Sequence, residues 1–289
     1  MDNYSIHPDT SMGAVSLTVR DLDRSEAFYR DVLGFKPLPR MGDTLSLTAN
    51  GKTPLLELRG DASAKPRPRH TTGLYHFAVL MPSRWDLARS LQRLADVGYP
   101  IQGGTDHLVS EAIYLSDPDG NGIELYRDRP REGWELINKE IHMESDPLDF
   151  NGILGELKDE PPAWDGLAAD TRMGHVHLNV ADLAETEHFY HGLLGFEVMM
   201  RRATGALFIS AGGYHHHLGL NTWDGAGAPP PPPGTVGLLE YRIVLPDIKE
   251  LGNVAGRVKE AGIAAEEVDE GFLIRDPSQN GILLTHREA

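Results

Sequence analysis

Residues 13–35 read GAVSLTVRDLDRSEAFYRDVLGF, and residues 174–196 read GHVHLNVADLAETEHFYHGLLGF. At a constant offset of 161 the two stretches agree at 12 of 23 positions without a gap, so the chain contains an internal repeat. In the first copy Val15, Leu17 and Val19 alternate with Ala14, Ser16 and Thr18, the period of a strand with one buried face. Asp21 and Asp23 are N-cap candidates for the helix that follows, Phe28 and Val32 stack one turn apart, and Gly34 stops it. Two further strands are expected at Thr44–Ala49 and Pro54–Arg59, with counterparts at Ala206–Ala211 and His216–Thr222. Each copy therefore reads β-α-β-β-β.

A second pair of segments shares that layout with different residues. Strand 73–80 (GLYHFAVL) leads to a helix over Trp85–Val97 closed by Gly98, then to strands Glu111–Ser116 and Ile123–Tyr126 around the turn DPDGNG, residues 117–122. Its partner begins GLLEY at 237–241, has a helix over Lys249–Ala261 closed by Gly262, and ends with the turn DPSQNG, 276–281, and strand Ile282–Thr285. The fold class is α+β, with four βαβββ modules of about 55 residues in two cupped mixed sheets. The domain reading is a module pair at 10–128, a connector at 129–170 and a second pair at 171–288. The connector is acidic and punctuated by prolines, with Trp134 and Trp164 as anchors to the surface; Pro229–Pro233 reads as an extended crossover.

The 289 residues carry 27 basic and 43 acidic side chains, a net charge of −16, which argues against nucleic acid or an anionic membrane as partner. The absence of cysteine excludes disulfides, iron–sulfur clusters, thiolate zinc sites and a thiol nucleophile. No apolar run is long enough to span a bilayer and the polar N-terminus is no signal peptide, so a cytoplasmic protein is expected. Thirteen histidines make imidazole and carboxylate the metal-binding groups to look for.

First and last strands of such a module line one concave surface. Equivalent positions on the four first strands are Ala14, His76, His175 and Glu240; on the last strands they are Glu57, Glu124, Gly219 and Leu283. Modules 2 and 3 together supply two imidazoles and one carboxylate, the ligand set of a non-haem Fe(II) oxygenase with open positions opposite. His177 shares a face with His175 and is a rival first ligand.

At these residues the sequence resembles the vicinal oxygen chelate superfamily, which includes glyoxalase I, bleomycin-resistance proteins and type I extradiol dioxygenases. More closely it is similar to the bacillus-type catechol 2,3-dioxygenases. The phrases that carry the likeness are GLYHFA (73–78), SEAIYLSDPDGNGIE (110–124), GHVHL (174–178) and YHHHLGLNTW (214–223). The resemblance implies Fe(II), or Mn(II), held by His76, Glu124 and His175, with His216, His107 and Tyr114 as catalytic groups. It implies a small aromatic diol and dioxygen as partners; a homo-oligomer is one assembly that the sequence leaves open. In that chemistry His216 acts as general base toward a catechol hydroxyl, His107 holds a substrate oxygen, and the ring opens beside the hydroxyls.

One departure matters. The family's usual order places the whole site in modules 3 and 4, yet module 4 offers Glu240 and Leu283, and module 1 offers Ala14. Only the pairing of module 2 with 3 completes the set, so modules 2 and 3 are expected to pair around the metal, and 1 with 4 as a metal-free scaffold. His107 lies in a hairpin two residues shorter than the family's usual one. In the run His215, His216, His217, strict alternation with Gly219 favours 215 and 217 for the pocket, whereas the resemblance favours 216; Gly212–Gly213 could bend the strand. The remaining histidines, 7, 70, 142, 188, 191 and 286, fit surface positions. The alternatives are a glyoxalase-like isomerase or lyase, which would use a fourth protein ligand where Gly219 stands, and a non-catalytic small-molecule-binding protein of the resistance type.

Overall fold

The structure, a computed structural model, describes residues 4–158 and 163–287. Each of the four expected modules is present. Their opening strands are Ser11–Val19, Gly73–Leu80, Arg172–Asn179 and Gly237–Leu245, and their closing strands Pro54–Gly60, Gly122–Asp128, Leu218–Asn221 and Gly281–His286. Every module helix begins at a side-chain cap, the carboxylates of Asp21, Asp182 and Asp247 and the hydroxyl of Ser83 accepting a backbone N–H three residues on. In modules 1 and 3 the helix widens into a π-helical segment, Phe28–Val32 and His188–Leu193, before Gly34 and Gly195 stop it at φ 85° and 87°.

Modules 1 and 4 build an eight-stranded sheet, and modules 2 and 3 a nine-stranded one. In each sheet the two opening strands run antiparallel at the centre, flanked on either side by a parallel closing strand. The pairing expected from the distribution of histidines is the pairing found. The ninth strand is Asp146–Pro147 of the connector, added beside Gly103–Asp106, an element too short to be visible in the sequence pattern. One apolar core runs through all four modules, including Leu17, Phe77, Val176 and Ile243. Among the described residues no helix is long and apolar enough to cross a membrane.

The repeated Phe-Tyr and Asp-Pro phrases meet in space. Asp117 accepts hydrogen bonds from the backbone N–H of Asp119 (2.9 Å) and Asn121 (2.8 Å), from the Asn121 amide (2.8 Å) and from the Tyr29 hydroxyl (3.0 Å). Asp276 does the same with Asn280 and Tyr190. The sheets join module 1 to 4 and 2 to 3, while these tyrosine latches join 1 to 2 and 3 to 4.

The expected connector anchors also find partners. The Trp134 ring lies 5.3 Å from that of His215, and Trp164 packs at Gly34 under the Arg89 guanidinium. The proline run is tied down, Pro229 O accepting from Thr72 N at 3.0 Å. One expected strand needs correction: instead of starting at His216 it starts at Leu218. Gly212 and Gly213 both take positive φ, 60° and 64°, and the three histidines lie in the bent segment that results, so period-two alternation does not govern them.

Candidate metal centre

Strand register assembles the site. Across the middle of the nine-stranded sheet, Glu124 pairs with Ala78 and Ala78 with His175. Because residues opposite one another share a face, all three side chains point into the same cup. Ala78 is the necessary middle member: its methyl group leaves space over which the longer arms of Glu124 and His175 meet, Nε2 to Oε2 at 3.1 Å. One row along, His76 pairs with His177, and His76 Nε2 comes within 2.9 Å of the same Glu124 oxygen.

His76, Glu124 and His175 thus each present a ligand atom, all within 4.8 Å of one another, and all three residues are buried. The geometry fits a cation better than a hydrogen-bonded cluster. Despite its proximity to Glu124, the buried Nε2 of His76 has no hydrogen-bond partner, which leaves it available as a ligand atom. Burial raises the Glu124 carboxyl pKa, but His175 and His76 outweigh it and hold the group well below the usual carboxylate range. Burial drives His175 down to about 4 against the pull of Glu124. A carboxylate at Glu124 and a neutral imidazole at His175 are protonation states a divalent metal requires.

The eight-stranded sheet shows the same architecture without the ligands. Glu57 stands where Glu124 does, but it accepts from Ser16 Oγ at 3.1 Å and from Arg242 Nη2 at 2.8 Å. A guanidinium, itself bridged to Glu270 at 2.8 Å, supplies the positive charge in that cup.

The other expected site residues divide as follows. Tyr114 lies against the triad, its hydroxyl 2.8 Å from His107 Nε2, while His107 Nδ1 is 2.7 Å from the Glu144 carbonyl. Since a carbonyl only accepts, Nδ1 carries the proton and Nε2 accepts from Tyr114. Burial and the Glu124 charge push the Tyr114 hydroxyl well above its ordinary pKa. Of the histidine run it is His216 that enters the pocket, its ring 4.1 Å from that of His175. His215 turns to Asp128 instead (2.8 Å), and His217 Nδ1 accepts from Ala211 N at 3.2 Å. His177 faces the cup, but it stands outside the three-residue cluster, its ring laid over Gly219. The six histidines read as surface residues are all partly or fully exposed.

A cavity of about 300 Å³ opens from the triad. Met200, Phe208 and the connector's Met143 line it, and Tyr75 and Trp223, with rings 5.3 Å apart, stand half exposed in its wall. Arg202 fastens the connector there through the Met143 carbonyl at 3.0 Å. Sequence reasoning missed the connector's part in the wall, and it missed Asp128, Tyr126 and Tyr214. The available signal was the alternation Glu124, Tyr126, Asp128 along one strand, which places three polar groups on one face.

The sequence profile of the Glyoxalase/Bleomycin resistance protein/Dioxygenase superfamily matches residues 11–125 and 172–283. The chain is 49% identical over 276 residues to the catechol-2,3-dioxygenase of Bacillus subtilis (strain 168), covering 94% of this chain and 96% of the relative. Among solved structures, glyoxalase I from Zea mays superposes with a TM-score of 0.58 at 17% identity, covering 96% of this chain and 92% of that one. A provisionally described dioxygenase from Bacillus subtilis subsp. subtilis str. 168 reaches 0.67 at 12% identity, covering 99% and 87%. These two structural likenesses speak for the fold alone. The repeated modules, their sheet pairing and the profile match agree, and the chain belongs to the Glyoxalase/Bleomycin resistance protein/Dioxygenase superfamily.

Proposed function

We propose that this chain is an extradiol ring-cleaving dioxygenase acting on catechol-type substrates, with His76, Glu124 and His175 as the ligands of Fe(II) or Mn(II). The observation that carries the reading is the buried set of two imidazoles and one carboxylate with no fourth ligand at Gly219, which suits substrate and dioxygen at the open positions. The Bacillus subtilis relative bears the name catechol-2,3-dioxygenase, and the same ligand logic applies here.

When bound, the metal supplies the Lewis acidity that favours a catecholate and the redox path to dioxygen. The chain's own residues do the rest. His216 takes a proton from a substrate hydroxyl; burial and the neighbouring histidines hold it well below its ordinary pKa, which keeps the ring unprotonated until substrate arrives. Tyr114, its O–H engaged by His107, positions a substrate oxygen. The apolar wall of Met143, Met200 and Phe208 takes the ring and keeps water out. The absent fourth ligand speaks against the glyoxalase-like reading, since those sites use a side chain where Gly219 has none. We take residues 10–128 and 171–288 as the two repeated units, joined by the connector 129–170.

Oxygen uptake by anaerobically metal-loaded protein, measured across a panel of catechols, tests the function. The expected result is stoichiometric uptake with a yellow ring-opened product. No uptake with any catechol would set the proposal aside.

A further inference from the structure

Behind His216 lies a chain of hydrogen bonds that leads away from the pocket. His216 Nδ1 is 2.8 Å from His215 Nδ1, and His215 Nε2 is 2.8 Å from Asp128 Oδ1. The Tyr214 hydroxyl reaches both oxygens of Asp128, at 3.1 and 3.0 Å, and the Tyr126 hydroxyl is 2.7 Å from that of Tyr214. His215 is fully buried.

With one proton on each imidazole ring, the protons in this chain have one consistent arrangement. A carboxylate offers only acceptors, so Tyr214 donates to Asp128, Tyr126 donates to Tyr214, and His215 must donate to Asp128 from Nε2. Its lone pair is then at Nδ1. The contact between the two Nδ1 atoms holds a single proton, which must therefore belong to His216. With its proton fixed at Nδ1, His216 has its lone pair at Nε2, the nitrogen not engaged by the chain.

We infer that Asp128 and His215 are positioning residues that act in series to fix the tautomer of His216, so that its free Nε2 is always the base. The inference rests on the reading of His216 as the pocket's base. It adds two residues that no part of the metal site contacts as ligands, and it gives a reason for consecutive histidines: one ring works in the pocket while its neighbour orients it. The reasoning parallels metal ligands and catalytic bases generally, where the partner of the far nitrogen decides which tautomer is present.

The experiment reads the proton directly. Long-range nitrogen–proton correlation spectra of the full-length protein, labelled with ¹⁵N in the histidine rings, separate protonated from unprotonated ring nitrogens. His216 is identified by the signals lost in His216→Gln. Expected in the unsubstituted protein is a protonated Nδ1 and an unprotonated Nε2 on His216. In Asp128→Asn, whose amide can offer an N–H as readily as a C=O, both nitrogens move toward the averaged shifts of a tautomer mixture. In the same variant kcat falls about 10–100-fold with KM and metal content unchanged. A proton on His216 Nε2 in the unsubstituted protein, as a doubly protonated His215 would impose, overturns the inference; so does a tautomer that Asp128→Asn leaves unmoved. The unsubstituted spectrum decides even if the variant does not fold. A chain that inactivates every catechol assay would remove the proposed reaction and still leave the tautomer measured.

Discussion

Gly219 stands where a fourth ligand could be, and its replacement by alanine probes why nothing is there. A Cβ at Gly219 would sit 2.8 Å from Cγ, 2.9 Å from Nδ1 and 3.0 Å from Cδ2 of His177. Comfortable carbon contacts lie at about 3.5–4.0 Å, so the ring must retreat by roughly 0.7 Å. It has little room to do so, with the rings of His76 at 4.9 Å, Tyr75 at 5.1 Å, Trp223 at 5.4 Å and Phe208 at 5.7 Å around it. Overpacking of this kind costs about 1–3 kcal/mol. Because His76 is among the rings pushed, metal retention should weaken in step. The assay is urea unfolding of Gly219→Ala, His177→Ala and the double variant. The expected coupling is about 1–2 kcal/mol: alanine at 219 harms the parent protein and is tolerated once the 177 ring is gone. A Gly219→Ala variant as stable as the parent, or equally harmful in both backgrounds, would refute the claim that the His177 ring occupies the space over Gly219.

Three further outcomes are expected. Asp117→Ala removes the acceptor of four buried donors and should cost about 3–5 kcal/mol in urea unfolding, against about 1 kcal/mol for Tyr29→Phe, which loses a single bond; equal effects would contradict the latch. Burial pushes the His217 imidazole down to about 3, so between pH 6.5 and 3 the unfolded chain binds a proton the native state refuses. Its contribution is present at neutral pH and lost as pH falls, at about 1.4 kcal/mol per pH unit. His217→Gln should flatten the stability–pH curve by that one proton, and an unchanged slope would count against the assignment. His76→Ala and Glu124→Gln should lose metal on gel filtration while Glu240→Gln retains it; loss in the third variant would point to the other cup.

Much of this was readable because the modules repeat. Most opening strands, helices and closing strands fall within a residue or two of their expected bounds, though the strand expected at 237–241 runs on to Leu245. The pairing of module 2 with 3 followed from chemistry: Ala14, Glu240 and Leu283 cannot complete the kind of cluster that His76, Glu124 and His175 form. The histidine run was harder. Alternation alone pointed to His215 and His217, and only the consecutive positive φ angles of Gly212 and Gly213 turn His216 inward. The alternation Glu124, Tyr126, Asp128 put Asp128 on the site's face, but its role could not be read from that pattern, because it depends on meeting a residue 87 positions away. The connector's two-residue strands are likewise set by the edge they dock on, having too few residues to show a period of their own.

The proposed chemistry depends on where the metal binds. Anomalous diffraction at the iron edge, from crystals of the protein loaded with Fe(II) without oxygen, locates it. One peak is expected, bounded by His76, Glu124 and His175. A peak in the cup of Glu57, Arg242 and Glu240, or none beside the triad, would contradict it.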